Sequence, residues 1–384
     1  MIAALELVRG PHGSNLYETL FFGLKAKFQY PPSSLLIIDL LSAFVSLSPF
    51  FLNCLSSVAF LGSIIGMVLL LQKIELCDVA GGRRQSPIGG SLATIAMVVF
   101  AALCTFYPLL HAISLGQIQV WIDFLFIWGC LSFVIDRHFL AGTLVGLACT
   151  MKPQLGVFLV WALVWREHRF GLGFLLTYIP FTIGAVLRYG VQNSFAYLDV
   201  LSFISKRGES VYMNQSVNGL MNRLLGNGNN LTWDAHVFAP PNHWVHSATI
   251  VAAAVFTMIP LGVAFRARRR ADPWDLGLAA LCFTMASPIA WEHHYGIAIP
   301  IYVLALRAVL KHPPSLSRRT RIWALAVSWC LTANYMPWLN ASATTRFNVL
   351  QSYVFWGALI LLGILLIETV QMTCQSLGED VVER

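Results

Sequence analysis

Long apolar runs alternate with short polar connections along most of this chain. Eight runs come close to the roughly 17–25 residues that a helix needs to cross a ~30 Å hydrocarbon core. They are Leu52–Leu71, Ser91–Leu110, Gln117–Ile135, Gly171–Leu187, Ser247–Phe265, Tyr295–Leu310, Ile322–Met336 and Val349–Ile367. Since backbone groups in lipid must be hydrogen-bonded within the protein, these runs are expected to be helices. The pattern predicts an all-α integral membrane protein, a polytopic bundle of about 9–11 transmembrane helices with interfacial and re-entrant short helices. Residues 1–384 form a single membrane domain.

Composition and charge agree with this prediction. Hydrophobic residues make up 57% of the chain and charged residues 11%, whereas about 25% of a soluble domain is charged. The net charge of +7 does not indicate a nucleic-acid partner, because the basic residues gather in short connections between apolar runs, as cytoplasmic loops do. They are Arg83, Arg84, Arg137, Arg166, Arg169, Arg266–Arg270, Lys311, Arg318, Arg319 and Arg321. The eight cysteines lie mostly within apolar runs without metal-type spacing, and are interpreted as small apolar side chains.

Placing the basic connections in the cytoplasm puts the other connections outside the cell. They are the turn at 109–119, a long outer loop at 188–246, the stretch "EHHYG" at 292–296, and residues 337–348. This topology predicts that all four meet at one face of the membrane.

Two segments leave alternatives open. Arg137 and Arg166 both look cytoplasmic, yet "MKPQ" lies midway between them, so the segment is either two short helices folded back at Pro153 or one long kinked helix. A lysine at the depth of Lys152 costs roughly 2.5–3.5 kcal/mol unless it faces water or an anion. Ser33–Ser48 is short for a span, and either crosses the membrane or lies in its interface.

Polar residues from distant positions are predicted to share the outer side. A pair of histidines beside a carboxylate can hold or donate a proton near neutral pH, and a protonated histidine or a lysine can neutralise charge on a phosphate. The alternative is structural, since amides near helix ends often bridge helices. A metal site is not predicted, because three consecutive residues do not readily face one ion. The candidates are Gln117, Gln119, Lys152, Gln154, Gln215, Asn218, Glu292, His293 and His294.

Five motifs in order give the chain a resemblance to a known family. They are "FQYPPSSLL" (28–36), "SLGQIQVWIDFLFIWG" (114–129), "LAGTLVGLACTMKPQLGVFLVWAL" (140–163), "NQSVNGLMNRLL" (214–225) and "SPIAWEHHYGIAIP" (287–300). The set resembles glycosyltransferase family 87, the polyprenol-phosphate-sugar-dependent membrane enzymes of the GT-C superfamily. The resemblance implies inverting transfer of a hexose, mannose in the best-known relatives, from a polyprenyl-phosphate sugar to a lipid or glycan acceptor outside the cytoplasmic membrane.

The resemblance also implies roles for the candidate residues. Glu292, His293 and His294 would be catalytic, with the histidines and Lys152 at the donor phosphate. No cofactor or metal is expected, because the donor itself carries the activated sugar. The expected partners are membrane lipid, the donor and the acceptor. Six residues would line the sugar or lipid site: Tyr30, Gln117, Gln119, Gln154, Gln215 and Asn218.

One departure from the family concerns the general base. Family members normally begin with a transmembrane helix and an outer loop bearing an aspartate that serves as base, and this sequence starts just downstream of both. We therefore expect either a start assigned too late or a truncated member, inactive or using Glu292, Glu18 or Asp39 as its base. Rival functions are an undecaprenyl-linked glycan ligase or polymerase, and a transporter with binding groups at broken helices.

Overall fold

The computed structural model describes residues 1–10, 15–80, 92–267 and 269–382, leaving aside the side chains of 75–80 and 373–382. The predicted basic residues Arg83, Arg84 and Arg268 lie outside the described residues. The regular elements of the described part are helices, which confirms the predicted all-α class. The sixteen α-helices are α1 (Ile2–Arg9), α2 (Pro32–Ser42), α3 (Pro49–Ala80), α4 (Leu92–Thr105), α5 (Tyr107–Ser114), α6 (Gln119–Val134), α7 (His138–Met151), α8 (Val157–Val164), α9 (His168–Tyr189), α10 (Val191–Arg207), α11 (Val217–Leu224), α12 (His243–Arg266), α13 (Pro273–Met285), α14 (Ala298–Lys311), α15 (Leu316–Thr332) and α16 (Tyr353–Val382).

The protein is a multi-pass membrane protein. Five helical segments are long and apolar enough to cross a membrane: Pro49–Ile74, His168–Tyr189, His243–Arg266, Glu292–Lys311 and Asn348–Met372. α4 and α5 make a sixth candidate, bent by 61° where Pro108 in the first turn of α5 prevents one continuous helix. Fewer helices pass this length test than the 9–11 predicted, because α6 and α15 have only 16 and 17 residues and other apolar helices are shorter still.

The segment between Arg137 and Arg166 is two short helices folded back. α7 ends at Met151, Pro153–Gly156 forms a 3-10 turn, and α8 returns. His138 Nδ1 lies 2.6 Å from Glu167 Oε2, so the two ends of the segment adjoin. The prediction of a hairpin at the proline is confirmed, with Lys152 at its tip.

α7 and α9 pack with their backbones in close approach. A side chain at Gly142 would overlap the Phe170 carbonyl, and one at Gly173 would overlap the Phe139 carbonyl. Small residues at such a contact let membrane helices come together. This contact fixes the hairpin, and with it Lys152, against the rest of the bundle.

α13 lies inside the bundle and is buried on all its faces. Every residue from Trp274 to Met285 is buried, and the helix contacts α6, α8, α12, α14 and α16. Its acidic start is satisfied locally, since Asp275 accepts from the Asp272 amide at 2.8 Å and Asp272 caps the first turn. The elements that carry the candidate site therefore pack against α13.

The two ends of the bundle differ as the charge pattern predicts. At one end, here called the basic end, the Arg269 guanidinium lies over the Trp165 ring at 5.2 Å and the Lys311 ammonium over the Trp274 ring at 5.0 Å. Arg166 follows Trp165 directly, and Arg321 donates to Glu368, which is also contacted by His312 next to Lys311.

The four connections predicted to share a face meet at the opposite end, here called the site end. The His111 ring of the first connection meets the His293 ring of the third at 6.0 Å. Asn230 Nδ2 of the second donates to the Ala343 carbonyl of the fourth at 2.8 Å. The Glu292 amide of the third donates to a carbonyl of the second at 3.0 Å. The predicted grouping is confirmed. The 188–246 segment contains α10, α11 and the start of α12, and is more ordered than the loop that its polarity predicts.

The Ser33–Ser48 region forms the short helix α2. Its 11 residues span about 16 Å, half of the hydrocarbon thickness, so this helix does not cross the membrane. Ser33 Oγ donates to the Thr150 carbonyl at 2.7 Å, which ties the start of α2 to the tip of the hairpin.

Candidate functional site

The "EHHYG" stretch forms a 3-10 turn, Glu292–Ile297, that leads directly into α14. The backbone before it is paired with the 209–216 segment: the Glu292 amide donates to the Met213 carbonyl at 3.0 Å and the Gln215 amide to the Ala290 carbonyl at 2.8 Å. The Tyr295 hydroxyl donates to the Gln215 carbonyl at 2.6 Å. Two chain segments about eighty residues apart thus hold the acidic and imidazole side chains in place.

Lys152 is joined to α6 by a short chain of polar contacts. Lys152 Nζ donates to Gln119 Oε1 at 2.9 Å, and Gln119 Nε2 donates to Asp123 Oδ1 at 2.7 Å. Gln119 and Asp123 are buried within an otherwise apolar helix. The hairpin tip and the start of α6 are therefore joined by hydrogen bonds at the site end.

The two histidines sit in a buried aromatic setting. The His293 ring meets the rings of His111 at 6.0 Å, Trp291 at 5.5 Å and His294 at 4.7 Å, each near an edge-to-face angle. Their Nδ1 atoms are buried and have no hydrogen-bond partner among the described residues. The Lys152 ammonium is close enough to both imidazoles to interact with them electrostatically. Buried polar atoms of this kind are normally satisfied, so they are available to a bound molecule.

Glu292 is fully buried, and its hydrogen-bond partners are neutral hydroxyls. The Tyr353 hydroxyl donates to Glu292 Oε1 at 2.6 Å, and the Tyr107 hydroxyl also interacts with the carboxylate. Arg223 acts on it electrostatically from farther away, because the Arg223 guanidinium donates to backbone carbonyls and to Ser352 Oγ. A carboxylate held in this way can still accept a proton.

Tyr30 and Gln117 border the same place. The Tyr30 hydroxyl donates to Gln117 Oε1 at 2.8 Å, two residues before Gln119. Gln154 lies in the 3-10 turn after Lys152, and its Nε2 is buried without a partner in the described part of the chain. Gln119 thus contacts the lysine of the hairpin tip, and the Tyr30–Gln117 pair lies beside Gln119 in the chain.

Gln215 and Asn218 lie behind the "EHHYG" turn and are engaged with the protein. Gln215 Nε2 donates to the Tyr212 and Gln351 carbonyls at 2.6 and 2.7 Å, and Gln215 Oε1 accepts from the Phe355 amide at 3.2 Å. Asn218 Nδ2 donates to Thr249 Oγ1 at 3.0 Å. In this structure the two amides position the segment that carries the turn.

Sequence reasoning missed two buried carboxylates at this end. Asp123 carries a signal, an acidic residue inside an apolar run, four residues after Gln119. Glu209 carries none, because it stands in an ordinary polar stretch.

Glu209 and Lys27 form an ion pair next to the histidine turn. Lys27 Nζ donates to Glu209 Oε1 at 2.6 Å and Trp291 Nε1 donates to Glu209 Oε2 at 2.8 Å. Lys27 also lies over the Trp233 and Phe238 rings at 5.1 and 4.5 Å. Burial raises the pKa of Glu209 above its ordinary value, although the Lys27 charge opposes this. The pair fixes the indole of Trp291, on which His293 packs.

The three acids considered as a substitute base differ in setting. Glu18 is exposed, and Asp39 pairs with Arg9 and, at 3.1 Å, with Arg188. Glu292 is the one of the three that joins the histidines at the turn.

Two relatives and one family profile match this chain. The chain is 26% identical over 304 residues, 77% of this chain and 65% of the relative, to a polyprenol-phosphate-mannose-dependent alpha-(1-2)-phosphatidylinositol pentamannoside mannosyltransferase of Mycobacterium tuberculosis (strain CDC 1551 / Oshkosh). It is 24% identical over 380 residues, 94% of this chain and 82% of the relative, to a polyprenol-phosphate-mannose-dependent alpha-(1-2)-phosphatidylinositol mannoside mannosyltransferase of Mycobacterium tuberculosis (strain ATCC 25618 / H37Rv). No solved structure matches. The sequence profile of glycosyltransferase family 87 matches residues 28–288, and the chain belongs to this family.

Proposed function

We propose that this protein is a membrane glycosyltransferase that moves a hexose, mannose, from a polyprenyl-phosphate sugar to a lipid or glycan acceptor. Family membership and the two mannosyltransferase relatives support the class of reaction. The observation that carries the proposal is the meeting of Lys152, the paired imidazoles and Glu292 at one end of an apolar bundle. A lipid donor with an anionic head needs this combination of charge and apolar surface.

The leaving group sets the first requirement on the site. As the C1–O bond to the phosphate breaks, the bonding electrons stay on the polyprenyl phosphate and its negative charge grows. Lys152 and the histidines, aimed at that charge in a buried setting, stabilise it more than they would in water. The donors for this task are Lys152 Nζ and a ring nitrogen of His293 or His294.

The acceptor sets the second requirement. Its hydroxyl oxygen forms the new bond to C1 from the face opposite the phosphate, so one displacement inverts the anomeric carbon. The hydroxyl proton passes to Glu292, whose carboxylate the Tyr353 hydroxyl holds at 2.6 Å. General-base assistance of this kind contributes about 10²–10⁴-fold to a rate.

The remaining polar groups serve recognition. The Gln154 amide, buried without a partner in the described residues at the hairpin tip, and the Tyr30–Gln117 pair would bind the hydroxyls of the hexose. Gln215 and Asn218 hold the turn in place. No cofactor enters this scheme, since the donor supplies the activated sugar.

The site faces the outer side of the cytoplasmic membrane in this proposal. The support is the separation of the two ends, because connections rich in arginine and lysine remain in the cytoplasm. The acceptor is then a membrane glycolipid or glycan at the outer surface.

The test is transfer by the purified protein in lipid nanodiscs. Radiolabelled polyprenyl-phosphate-mannose is supplied with phosphatidylinositol mannosides as acceptors, and a labelled, more slowly migrating glycolipid is expected. The product should carry the α configuration if the donor is β, as inversion requires. Absence of transfer from polyprenyl-phosphate mannose, glucose and galactose alike would overturn the proposal.

A further inference from the structure

The polar chain from Asp123 to Lys152 has only one possible direction. A carboxylate accepts hydrogen bonds and an ammonium donates them, while an amide does both. Gln119 lies between the two, with Nε2 2.7 Å from Asp123 Oδ1 and Oε1 2.9 Å from Lys152 Nζ. The carboxylate therefore fixes which way the amide faces, and the amide presents an acceptor to the lysine.

The contact with Gln119 restrains the end of the Lys152 side chain. This side chain is long and flexible, and its residue stands at the break between α7 and the 3-10 turn. An ammonium has three N–H donors, and Gln119 takes one. The other N–H directions are then set in space and remain available to an anion.

Asp123 also touches the turn that carries the histidines. A side chain at Gly296 would overlap the Asp123 carboxylate, so the backbone of the turn rests directly on that group. Gly296 is two residues after His294 in the same turn. One buried carboxylate is thus in contact with both arms of the site, the lysine arm through Gln119 and the histidine arm through Gly296.

We propose that Asp123 is a positioning residue, which sets the place of Lys152 through Gln119 and of the histidines through Gly296. The inference rests on the proposed function in one respect, that Lys152 binds the phosphate of the polyprenyl donor. The ligand of the positioned ammonium is the phosphate group itself, independent of the sugar attached to it.

The first measurement reads the position of Lys152 without any substrate. Labelling of Lys152 by an amine-acylating reagent, followed by mass spectrometry, is compared in the wild type, Asp123→Asn and Gln119→Leu. Gln119→Leu removes the acceptor of Lys152, and Asp123→Asn removes the carboxylate that orients it. Lys152 should therefore react at least about threefold faster in both variants. Equal labelling in all three proteins would overturn the inference, whether or not the protein transfers sugar.

The second measurement is binding of polyprenyl phosphate, added without a sugar, by the detergent-solubilised protein. Gln119→Leu and Lys152→Ala should each weaken binding about tenfold, and the double variant should bind no more weakly than Lys152→Ala, because the two side chains act as one unit. Additive losses would contradict the inference. Failure of the wild type to bind would count against the proposed function alone, since the labelling result stands apart from it.

Asp123→Asn and Ser132→Ala test whether a labelling change comes from loss of folding. Asp123→Asn keeps the size of the side chain, and Ser132→Ala on the same helix removes a buried hydroxyl far from the site. Thermal unfolding of both should stay near the wild type, and Ser132→Ala should leave Lys152 labelling unchanged. A labelling change in Ser132→Ala equal to that in Asp123→Asn would show a general loosening of α6 and overturn the specific role.

Discussion

The two ends of the bundle treat buried carboxylates in opposite ways. At the basic end each is closed by a cation: Arg269 binds Asp275 through two contacts of 2.6 and 2.9 Å. Glu368 accepts from Arg321 at 2.5 Å and lies 2.7 Å from His312 Nε2. These carboxylates have no interaction left to offer a ligand.

At the site end, Glu292 and Asp123 are bound by neutral groups. A hydroxyl holds the first and an amide the second. Burying a carboxylate without a directly paired cation is costly, and such groups gather at functional sites. The carboxylates of the basic end therefore stabilise the fold, whereas Glu292 and Asp123 at the site end can interact with a bound molecule. Two buried carboxylates at this end are exceptions: Glu209 pairs with Lys27, and Asp39 pairs with Arg9 and Arg188.

The largest effect on transfer is expected from Glu292→Gln. Glutamine has the same size and still accepts from Tyr353, so folding should be unchanged, but it cannot take the acceptor proton. The turnover number for mannose transfer should fall by about 10²–10⁴-fold. Wild-type turnover in this variant would remove Glu292 from the mechanism.

The opposite result is expected of Asp275→Asn at the basic end. Arg269 would keep its charge and lose its partner, which costs about 3–5 kcal/mol of stability for a buried pair. The midpoint of thermal unfolding in detergent should drop, while transfer per folded molecule stays near that of the wild type. An unchanged midpoint would show that the pair is not structural.

His293→Ala and His294→Ala test the histidine arm of the site. Loss of a group that stabilises the leaving phosphate should lower transfer by about 10²–10³-fold, with normal amounts of protein in the membrane. The comparison of single and double variants tells which ring faces the phosphate. If neither single variant slows transfer, the pair is not part of the mechanism.

The smallest effect is expected from Tyr353→Phe. Removing one hydrogen bond to the Glu292 carboxylate should slow transfer about tenfold, the equivalent of roughly 1.4 kcal/mol. Tyr302→Phe is the matched control, because that hydroxyl contacts Ser328 and Thr332 away from the site. Equal rates for the two variants would mean that Tyr353 does not orient Glu292.

Much of the architecture can be predicted from the sequence. The basic connections indicate which segments share an end, and Lys152–Pro153 marks the tip of the hairpin because proline cannot continue α7. Tyr30 contacts Gln117 and Lys152 contacts Gln119, since helix starts and turns at one end of a bundle have few places to lie; that these residues bind a substrate stays a prediction.

What the sequence does not provide is the pairing of distant polar groups. Lys27 and Glu209 are 182 residues apart, and no local pattern relates them. Asp123 is visible as a charge in an apolar run, but its contact with Gly296 depends on how the 3-10 turn rests on α6. The sequence marks Gln215 as a candidate in the same way as Gln119. In the structure, however, backbone groups are hydrogen-bonded to the Gln215 amide, because three separate chain segments surround it.

The burial of α13 on every face has a consequence for how the protein is made. A helix without a lipid-facing side cannot complete its surroundings until its neighbours have been synthesised, and α16, which packs on it, is the last of the described helices to leave the ribosome. α16 also brings Tyr353 to Glu292. The growing chain therefore acquires its assembled site only after α16 has been synthesised, and a nascent chain that stalls before α16 has neither the completed interior nor the hydroxyl that orients the carboxylate.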